Sequence, residues 1–239
     1  LGIDYMYVNG LAFFVSVSCK IKNGTVEYAP SRTKQATLSY MESILSLYNK
    51  RGFRIDTVMG DNEFDTLQTD LEEKYNIKYN PQSANEHVGE VERMIRVIKE
   101  RVRAILSSFP WKKSIPRLII KETVKYTMMM LNVIPPKSGL TTHLSPRNII
   151  AGKSLSFKHH FKLPFGDYAQ VHEEEQPRNS MSERTLGAIC LGPIDNAQGG
   201  YKFMSFRSGK MIKRFAFTPI TMTQEVVDRV LHFGTKENA

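Results

Sequence analysis

A chain of 239 residues with 41% hydrophobic residues is long enough to form one large domain or two small ones with a buried core. Its formal net charge of +9 favours a polyanionic partner, a nucleic acid or an anionic membrane surface, although solubility alone also explains such a charge. Two distant cysteines, Cys19 and Cys190, exclude a disulfide framework or a cysteine zinc site, and no apolar run is long enough to predict a membrane span or a signal peptide.

The chain begins with a predicted β-hairpin. Residues 3–8 and 12–18 are rich in β-forming residues and flank Asn9-Gly10, the dipeptide most typical of a tight hairpin turn. A third strand is predicted at residues 25–28.

A helix follows the third strand. Ser31 and Thr33 are the candidate N-caps, and the helix is predicted to end at Gly52. A short strand at residues 54–59 comes next and runs directly into Gly60-Asp61-Asn62. The apolar face of the predicted helix consists of Leu38, Met41, Ile44, Leu45 and Tyr48.

The next elements alternate between helix and strand. A short helix with Phe64, Leu67 and Leu71 inward leads to a strand at residues 77–79 and a polar loop at residues 80–89. A long helix and a second helix at about residues 115–134 follow, the latter stopped by two prolines. This order predicts a mixed α/β architecture with a five-stranded sheet. The stripe of the long helix consists of Val91, Met94, Ile95, Ile98, Val102 and Ile105.

The sequence pattern changes after residue 135. Residues 136–162 are interpreted as a connector with helical potential at Pro146–Ala151, and a terminal helix is predicted at residues 224–232. Glycine-bounded short strands lie between them, as in a small antiparallel barrel. These strands are predicted at residues 167–172, 186–191, 201–206 and 211–217.

Three acidic residues lie at positions where acids are unusual. Asp4 is inside the first apolar strand, Asp61 directly follows the central strand, and Glu92 is in the first turn of the long helix. Ligands collect at the carboxyl ends of strands in open α/β sheets, which is where Asp61 is expected. Carboxylate oxygens suit Mg²⁺ or Mn²⁺, and a pair of such ions can promote an in-line phosphoryl displacement. The set therefore predicts a divalent-metal site.

Each of the three acids also has a purely structural explanation. Asp4 could be a solvated residue on the outer face of an edge strand. Asp61 could be a turn residue or a helix cap. Glu92 could favour the helix dipole or pair with Arg96 one turn away. The functional interpretation therefore depends on the ordered set and not on any single acid.

The acids lie in three segments, GIDYMYVNGLAFFVSV, VMGDNEF and NPQSANEHVGEVERMIRVIKERVRAIL. These segments resemble the first hairpin, the second-acid turn and the third-acid helix of retroviral and retrotransposon integrases, and Glu-Arg-Met-Ile-Arg resembles the Copia type. In this resemblance, Asp4, Asp61 and Glu92 match the catalytic acids. SPRNIIAGK and LGAICLGPIDNAQGGYKFMSFRSGKMIKRFAFTPI resemble the end of Copia-type cores and the β domain behind them, so the likeness covers nearly the whole chain.

The third acid has competitors, because the chain departs from the family pattern in two places. The interval between Asp61 and Glu92 is shorter than is usual in the family, and Glu63 stands where a glycine is expected after Asn62. Glu63, Glu86 and Glu90 are therefore alternatives to Glu92.

Helical periodicity favours Glu92 over Glu90. Arg96 and Lys99 lie one and two turns on from Glu92 and would share its face. The same offsets from Glu90 give Met94 and Val97, which places Glu90 above the apolar stripe. Glu92 is therefore the predicted third acid.

The resemblance implies an RNase H-like catalytic core over residues 1–135, a connector over residues 136–162, and a small SH3-like β-barrel domain with a C-terminal helix over residues 163–239. It implies DNA strand transfer with two Mg²⁺ or Mn²⁺ ions held by Asp4, Asp61 and Glu92. The implied partners are double-stranded DNA, at element ends and at the target, and further copies of the chain. Because the chain opens on Leu1, it is interpreted as a piece of a longer polypeptide. The resemblance implies that this polypeptide is a Gag-Pol polyprotein and that the chain acts in the nucleus or in a cytoplasmic virus-like particle.

Basic residues on two elements are the predicted DNA contacts. A basic face on the long helix suits the phosphates beside the scissile bond, and basic–aromatic alternation on the last strands suits backbone contact. The alternative for the strands is an amphipathic pair with aromatic residues inward and cations in water. The candidates are Arg93, Arg96, Lys99 and Arg103 on the helix and Lys202, Arg207, Lys210, Lys213 and Arg214 on the strands.

Two other functions fit the same pattern. One is a decayed or domesticated integrase-derived DNA-binding domain that keeps the fold without catalysis, and the other is an RNase H-type nuclease that cleaves RNA–DNA hybrids without joining. No zinc site is predicted, because His143, His159 and His160 have no Cys-x-x-Cys partner. His87, in the predicted loop, is interpreted as a substrate contact, a loop-stabilising residue or an incidental one.

Overall fold

The computed structural model describes residues 1–81, 89–152, 154–173, 181, 183–196 and 198–238. The chain divides into two compact units, and each unit combines two separate stretches of sequence. The first unit contains Leu1–Val102 and Thr127–Ser154, and the second contains Arg103–Tyr126 and Leu155–Ala239. The domain boundaries expected from the sequence, after residues 135 and 162, stay a prediction.

The first unit contains a mixed five-stranded sheet, as predicted. The strand order is β3-β2-β1-β4-β5; the β1–β2 and β2–β3 pairs are antiparallel, and the β1–β4 and β4–β5 pairs are parallel. The hairpin turn at Asn9 and Gly10 has φ values of 47° and 76°, which explains the Asn-Gly dipeptide. The strands are β1 Gly2–Val8, β2 Leu11–Val17, β3 Gly24–Tyr28, β4 Thr57–Gly60 and β5 Lys78–Pro81.

The helices begin and end where local sequence signals place them, within a few residues. Thr33 caps the first helix by accepting from the amide of Ala36 at 3.4 Å, and Ser145 caps a later one through the amide of Asn148 at 3.2 Å. A 3-10 helix at Asn62–Leu67 precedes the second α-helix. The helices that these signals delimit are α1 Lys34–Asn49, α2 Gln68–Tyr75, α3 Gly89–Ser108, α4 Arg117–Leu131 and α5 Pro146–Ala151.

The start of one strand and the buried stripe of one helix differ from the sequence prediction for physical reasons. The predicted strand at residues 54–59 begins only at Thr57, because the ladder with β5 starts there and Arg54 and Asp56 are exposed. The stripe of α3 is buried at Leu106, whereas Met94 and Ile105 are only half-buried. The four other buried positions of the stripe are Val91, Ile95, Ile98 and Val102.

One face of the first sheet packs against α1. Tyr5 and Phe14 are directly opposite each other in the β1–β2 register, and both belong to the core cluster that contains Met41 and Ile44 of α1. Phe64 of the 3-10 helix stacks on Tyr5, with ring centroids 5.4 Å apart. Each apolar side chain buried here contributes roughly 1.5–3 kcal/mol to folding.

The other face of the sheet packs against α3 and α4. A Cβ atom built on Gly24 would lie 2.4 Å from the sulfur of Met128 and 3.6 Å from the terminal methyl of Met94. Gly24 is therefore a glycine because the helices approach β3 closely at this point. Val17, paired with Gly24, and Gly2, paired with Val17, lie on the same face.

The second unit contains a five-stranded antiparallel sheet in the order β10-β6-β7-β8-β9. The predicted strand at residues 211–217 is in fact two strands that lie at opposite edges of this sheet. The two intervening residues can span only ~10 Å, whereas the outer strands of a flat five-stranded sheet would be ~19 Å apart. The sheet must therefore curl towards a barrel. Its strands are β6 Tyr168–His172, β7 Thr185–Pro193, β8 Tyr201–Ser205, β9 Met211–Arg214 and β10 Phe217–Pro219.

Contacts of the β9–β10 segment with β6, which lies next to the edge opposite β9, agree with this curling. The amide of His172, in β6, donates to the carbonyl of Ala216 at 3.2 Å, and the Nε of Arg214 donates to the carbonyl of His172 at 2.8 Å. Two further helices belong to this unit, α6 Phe157–His160 and α7 Gln224–Asn238. The expected SH3-like class of the barrel stays a prediction. Across the described residues of both units, no helix combines the length and apolarity needed to cross a membrane.

Candidate active site

Asp4 lies in the interior of the first sheet and not at its edge. Its strand, β1, is bonded to β2 on one side and to β4 on the other. The explanation of Asp4 as a solvated residue on an edge strand is therefore wrong. Its amino-terminal neighbour Ile3 is fully buried and Asp4 itself is half-buried, so this carboxylate has lost part of its hydration.

The strand register brings Asp4 and Asp61 side by side. Gly2 of β1 is paired in parallel with Met59 of β4, and each aspartate lies two residues further along its own strand direction. Adjacent strands are about 4.8 Å apart, and residues two apart in a strand share a face. Gly2 lies on the face that packs against α3 and α4, so the same alternation directs Asp4 and Asp61 towards the helix that carries Glu92.

Asp61 occupies the N-cap position of the 3-10 helix, with an extended backbone at φ −69° and ψ 167°. Its side chain nevertheless makes no capping hydrogen bond to that helix. The structure therefore does not support helix capping as the reason for an aspartate at this position. The exposed Asp61 carboxylate follows the buried Gly60 at the carboxyl end of β4, as the sequence predicted.

Electrostatics link the three predicted acids. The pKa of Asp4 is raised to about 6, first because burial penalises the charged form and then because Asp61, Glu63 and Glu92 add negative charge nearby. The amide of Tyr5 donates to the Asp4 carboxylate at 2.6 Å and partly opposes the effect. Residues far apart in sequence therefore lie within electrostatic reach of one another.

The competing acids have cationic partners elsewhere. Glu63 forms an ion pair with Arg32, whose guanidinium also lies 4.9 Å from the ring centroid of Tyr5. Glu90 forms an ion pair with Lys22 at 2.8 Å, and that lysine side chain is only 15% exposed. Glu92 raises the pKa of Asp4, and among its competitors in the described residues Glu63 does so too. Glu90 is instead paired with Lys22. Glu86 and His87 lie outside the described residues.

Tyr79 of β5 anchors the turn that carries Asp61. Its hydroxyl lies 3.1 Å from the carbonyl oxygen of Asp61, 3.1 Å from a carboxylate oxygen of Asp65 and 3.3 Å from the carbonyl oxygen of Gly60. Burial and the nearby carboxylates raise the pKa of the Tyr79 phenol, so it remains a donor at neutral pH. Nothing in the sequence pattern predicted this role of Tyr79.

We expect Tyr79→Phe to lower the free energy of unfolding by about 1 kcal/mol, because acceptors at the turn lose a buried donor. Urea denaturation monitored by circular dichroism measures the loss. The matched control is Tyr75→Phe, since the Tyr75 hydroxyl bonds Glu42 in an exposed setting and should contribute less. Equal losses in the two variants would contradict an anchoring role for Tyr79.

The three predicted acids do not form a closed ligand set. Among the residues that the structure describes, no group of three or more His, Cys, Asp or Glu side chains is arranged to hold a metal ion. The Asp61 and Glu92 side chains are exposed. The donor set consists entirely of oxygen atoms and accumulates negative charge around Asp4, which fits Mg²⁺ or Mn²⁺. Convergence on shared ions stays a prediction.

Comparisons with solved structures show a likeness in fold. No family model matches the chain, and no curated protein matches its sequence. The fold is similar to the crystal structure of the catalytic core domain of BIV integrase, with a TM-score of 0.47 and 17% sequence identity. The matched region covers 63% of this chain and 92% of that chain. At this level of similarity, the function has to be inferred from the residues of the chain itself.

The basic residues predicted on α3 are exposed. Arg96 and Lys99 follow Glu92 by one and two turns, and Arg103 follows one turn later. Arg93 is also exposed and lies 4.0 Å from the carboxylate of Glu90. The structure therefore presents cations on the same helix as Glu92, and their contact with DNA stays a prediction.

Three of the basic residues predicted on the strands bind other groups of the protein, and two are exposed cations. Lys202 and Arg207 form ion pairs with Glu122 and Glu173. The Arg214 guanidinium donates to the carbonyl oxygens of His172 and Lys213. The first two cations thus neutralise carboxylates and the third bridges backbone groups, whereas Lys210 and Lys213 are exposed cations on or beside β9. These two remain the best placed for a nucleic-acid contact.

Lys202 has a stabilising role, because Glu122 is a buried carboxylate with a side chain only 6% exposed. We expect Lys202→Met to lower the free energy of unfolding by about 2 kcal/mol, since Lys125 at 3.7 Å compensates for only part of the lost partner. Chemical denaturation measures this loss. Lys210→Met is the control and should change stability by less than about 0.5 kcal/mol. Adding Glu122→Gln to Lys202→Met should restore stability, and a failure to do so would contradict the pairing.

Proposed function

We propose that this chain is the catalytic core of a Copia-type retrotransposon integrase, which joins the 3′ ends of element DNA to host DNA in a reaction that depends on Mg²⁺ or Mn²⁺. The observation that supports this proposal is the strand register that brings Asp4 beside Asp61, with the negative charge of Asp61 and Glu92 close enough to raise the pKa of Asp4. These acids come from a strand, a strand end and the first turn of a helix. A structural role for each acid separately does not explain why they accumulate charge at one place.

The proposed chemistry assigns a task to each carboxylate. Asp4, Asp61 and Glu92 would hold the ions through their oxygen atoms, and Asp4 must lose its proton before it can do so. When bound, two ions would activate the attacking hydroxyl or water and stabilise the leaving 3′ oxygen. The hydrogen bond from the amide of Tyr5 holds one oxygen of the Asp4 carboxylate in place.

Positive charge supports DNA as the substrate. The chain carries 33 lysine and arginine residues against 24 acidic residues, and Arg96 and Lys99 extend along α3 from Glu92. Cations next to a carboxylate site can bind the phosphates on either side of a scissile bond. In the proposal, Arg93 and Arg103 widen this surface, and Lys210 and Lys213 contact DNA from the second unit.

The proposal includes an oligomer, because two DNA ends must be held at once. It also includes the expected origin of the chain within a Gag-Pol polyprotein and its action in the nucleus or in a cytoplasmic virus-like particle. The division into an RNase H-like core over residues 1–135, a connector over residues 136–162 and an SH3-like domain over residues 163–239 belongs to the same proposal.

One observation favours a second function. The three carboxylates do not form a closed ligand set in the described residues, as a catalytically inactive, integrase-derived DNA-binding domain would allow. Such a domain would bind duplex DNA through the same cations without joining it. An RNase H-type nuclease is a further alternative, which would cut RNA–DNA hybrids.

A joining assay distinguishes these functions. Labelled duplex oligonucleotides with element-end sequences are incubated with plasmid DNA in Mg²⁺, Mn²⁺ or EDTA, using the wild-type chain and the Asp61→Asn variant. Integration products that require a divalent ion and Asp61 are the expected result. Duplex binding without products would support the inactive domain, and cleavage of an RNA–DNA hybrid without joining would support the nuclease.

A further inference from the structure

Three phenylalanines form an exposed aromatic surface on the second unit. Phe157 is 82% exposed, Phe161 is 38% exposed, and their rings stack with centroids 5.5 Å apart. Phe215 is 61% exposed, and the ammonium of Lys162 lies 5.2 Å from its ring centroid. Clustered exposed aromatic side chains are costly to solvate and typically mark binding sites. We call Phe157, Phe161 and Phe215, with Lys158 and Lys162, the phenylalanine patch.

The segment around α6 is anchored through its other residues. A Cβ atom on Gly199 would lie only 2.9 Å from the Cβ of His159, so the glycine permits close packing of this histidine. The amide of Lys162 donates to the hydroxyl of the buried Tyr201 at 2.8 Å, and the amide of Ser156 donates to Nδ1 of His160 at 3.1 Å. The helix therefore turns its histidines inward and its phenylalanines outward, the reverse of the usual amphipathic arrangement.

The charge around the patch selects a polyanion as its partner. Residues 154–166, which contain Phe157 and Phe161, include no aspartate or glutamate. Residues 202–223, which contain Phe215, also include none. Of their five lysine and arginine residues, Lys202 and Arg207 are paired with carboxylates, whereas Lys210 and Lys213 are exposed cations. A purely apolar partner would gain nothing from these cations, whereas phosphates would be attracted to them.

The exposed rings favour a polyanion with unpaired bases over a duplex. In a duplex, the faces of the bases are already stacked on one another, so a phenylalanine can reach them only by unstacking the helix. Unpaired bases offer free faces to aromatic side chains, and lysines next to the rings can bind the intervening phosphates. Both properties occur together at the phenylalanine patch.

We propose that the phenylalanine patch binds single-stranded nucleic acid, with unpaired bases stacked on Phe157 and Phe161 and with phosphates at Lys158 and Lys162. This site shares no residue with the carboxylates and adds an unpaired-strand contact to the duplex contacts proposed above. It does not depend on strand transfer, because stacking and phosphate contact need neither Asp4 nor Asp61.

Fluorescence anisotropy with the full chain tests this site. The probes are a labelled oligothymidine of about 20 nucleotides and a labelled duplex of the same length. The Phe157→Ala/Phe161→Ala double variant should bind the single strand at least about tenfold more weakly and bind the duplex unchanged. Phe157→Tyr should retain binding, because a tyrosine ring still stacks. Lys158→Gln/Lys162→Gln should weaken single-strand binding and reduce its salt dependence.

Two controls separate the patch from other effects. Leu140→Ala removes an exposed apolar side chain of the first unit and should leave both affinities unchanged. Asp61→Asn should also leave single-strand binding unchanged. The joining assay therefore tests the carboxylates alone, and the anisotropy measurement tests the phenylalanine patch alone. Thermal melting should show that the double variant stays folded, because Phe157 contributes little to the core.

Three outcomes would overturn the proposal. Single-strand binding could survive in the double variant, or single-strand and duplex binding could fall equally. In the third outcome, wild-type chains would self-associate, the double variant would not, and single-strand affinity would stay the same. The patch would then be an interface between copies of the chain.

Discussion

The Glu92→Gln variant is expected to lose strand transfer by roughly a thousandfold or more, because the carboxylates act as one unit in holding the ions. Glutamine keeps the size of the side chain but removes the charge that contributes to the raised pKa of Asp4. The rate of joining labelled element ends to plasmid measures the loss. Unchanged duplex binding and an unchanged circular dichroism spectrum would show that the variant is folded.

Glu90→Gln is the matched control, since Glu90 is the neighbouring glutamate on the same helix. It forms an ion pair with Lys22 at 2.8 Å, so its loss should lower stability by only about 0.5–1 kcal/mol. Joining by this variant should stay within about threefold of wild type. If Glu90→Gln abolished joining and Glu92→Gln did not, the third acid would be Glu90 and the periodicity argument would be wrong.

The Asp4→Asn variant is expected to be more stable than the wild type at neutral pH in the absence of divalent ions. In the unfolded chain an aspartate titrates near pH 3.9, whereas in the folded protein burial and neighbouring acids raise the pKa of Asp4 to about 6. The folded state therefore binds more protons than the unfolded state between about pH 4 and 6. Stability contributed by protonated Asp4 is lost as the pH rises through this window.

We expect a gain of about 1 kcal/mol for Asp4→Asn at pH 7.5, because the Asp4 carboxylate is partly solvated and screening reduces the full effect of the shift. The gain should shrink towards pH 4, where Asp4 is protonated in the wild type. Asparagine keeps an oxygen that can accept from the Tyr5 amide. Urea denaturation across this pH range measures the difference.

The same comparison tests the ion site. Mg²⁺ or Mn²⁺ should raise the melting temperature of the wild type, because a ligand that binds only the folded state stabilises it. The shift should be absent in Asp4→Asn, which also should lose joining activity. The ion site at Asp4 would be refuted if Asp4→Asn were no more stable than the wild type at pH 7.5 and the ions raised the melting temperatures of both proteins equally.

Much of the fold was predictable because its signals are local. The Asn9-Gly10 turn, the Thr33 and Ser145 caps and the apolar stripe of α3 each act within a few residues. The β9–β10 region was not predictable in this way. Residues 211–217 alternate like one strand, yet the chain leaves one edge of the second sheet and joins the other. Strand pairing is a long-range property that alternation does not encode.

The candidate site was predictable only in part. Asp4, Asp61 and Glu92 were recognisable because acids are unusual inside an apolar strand, after a buried strand and beside a basic helix face. Tyr79 was not, since a tyrosine in a strand is ordinary until its hydroxyl is seen to reach the carbonyl of Asp61. Lys202 was predicted to contact DNA, and its pairing with Glu122 depends on residues 80 positions apart.

By itself, the sequence determined the order of the elements in the first unit, the mixed α/β class and the three acids worth testing, because helix and strand periodicity and capping are short-range effects. Only the tertiary structure decided which charges meet. The pairing of Gly2 with Met59 places Asp4 beside Asp61, and the ion pairs of Glu63 with Arg32 and of Glu90 with Lys22 give the competing acids partners of their own. Electrostatic interactions depend on distance in space, and that distance is set only when the sheet and its helices pack.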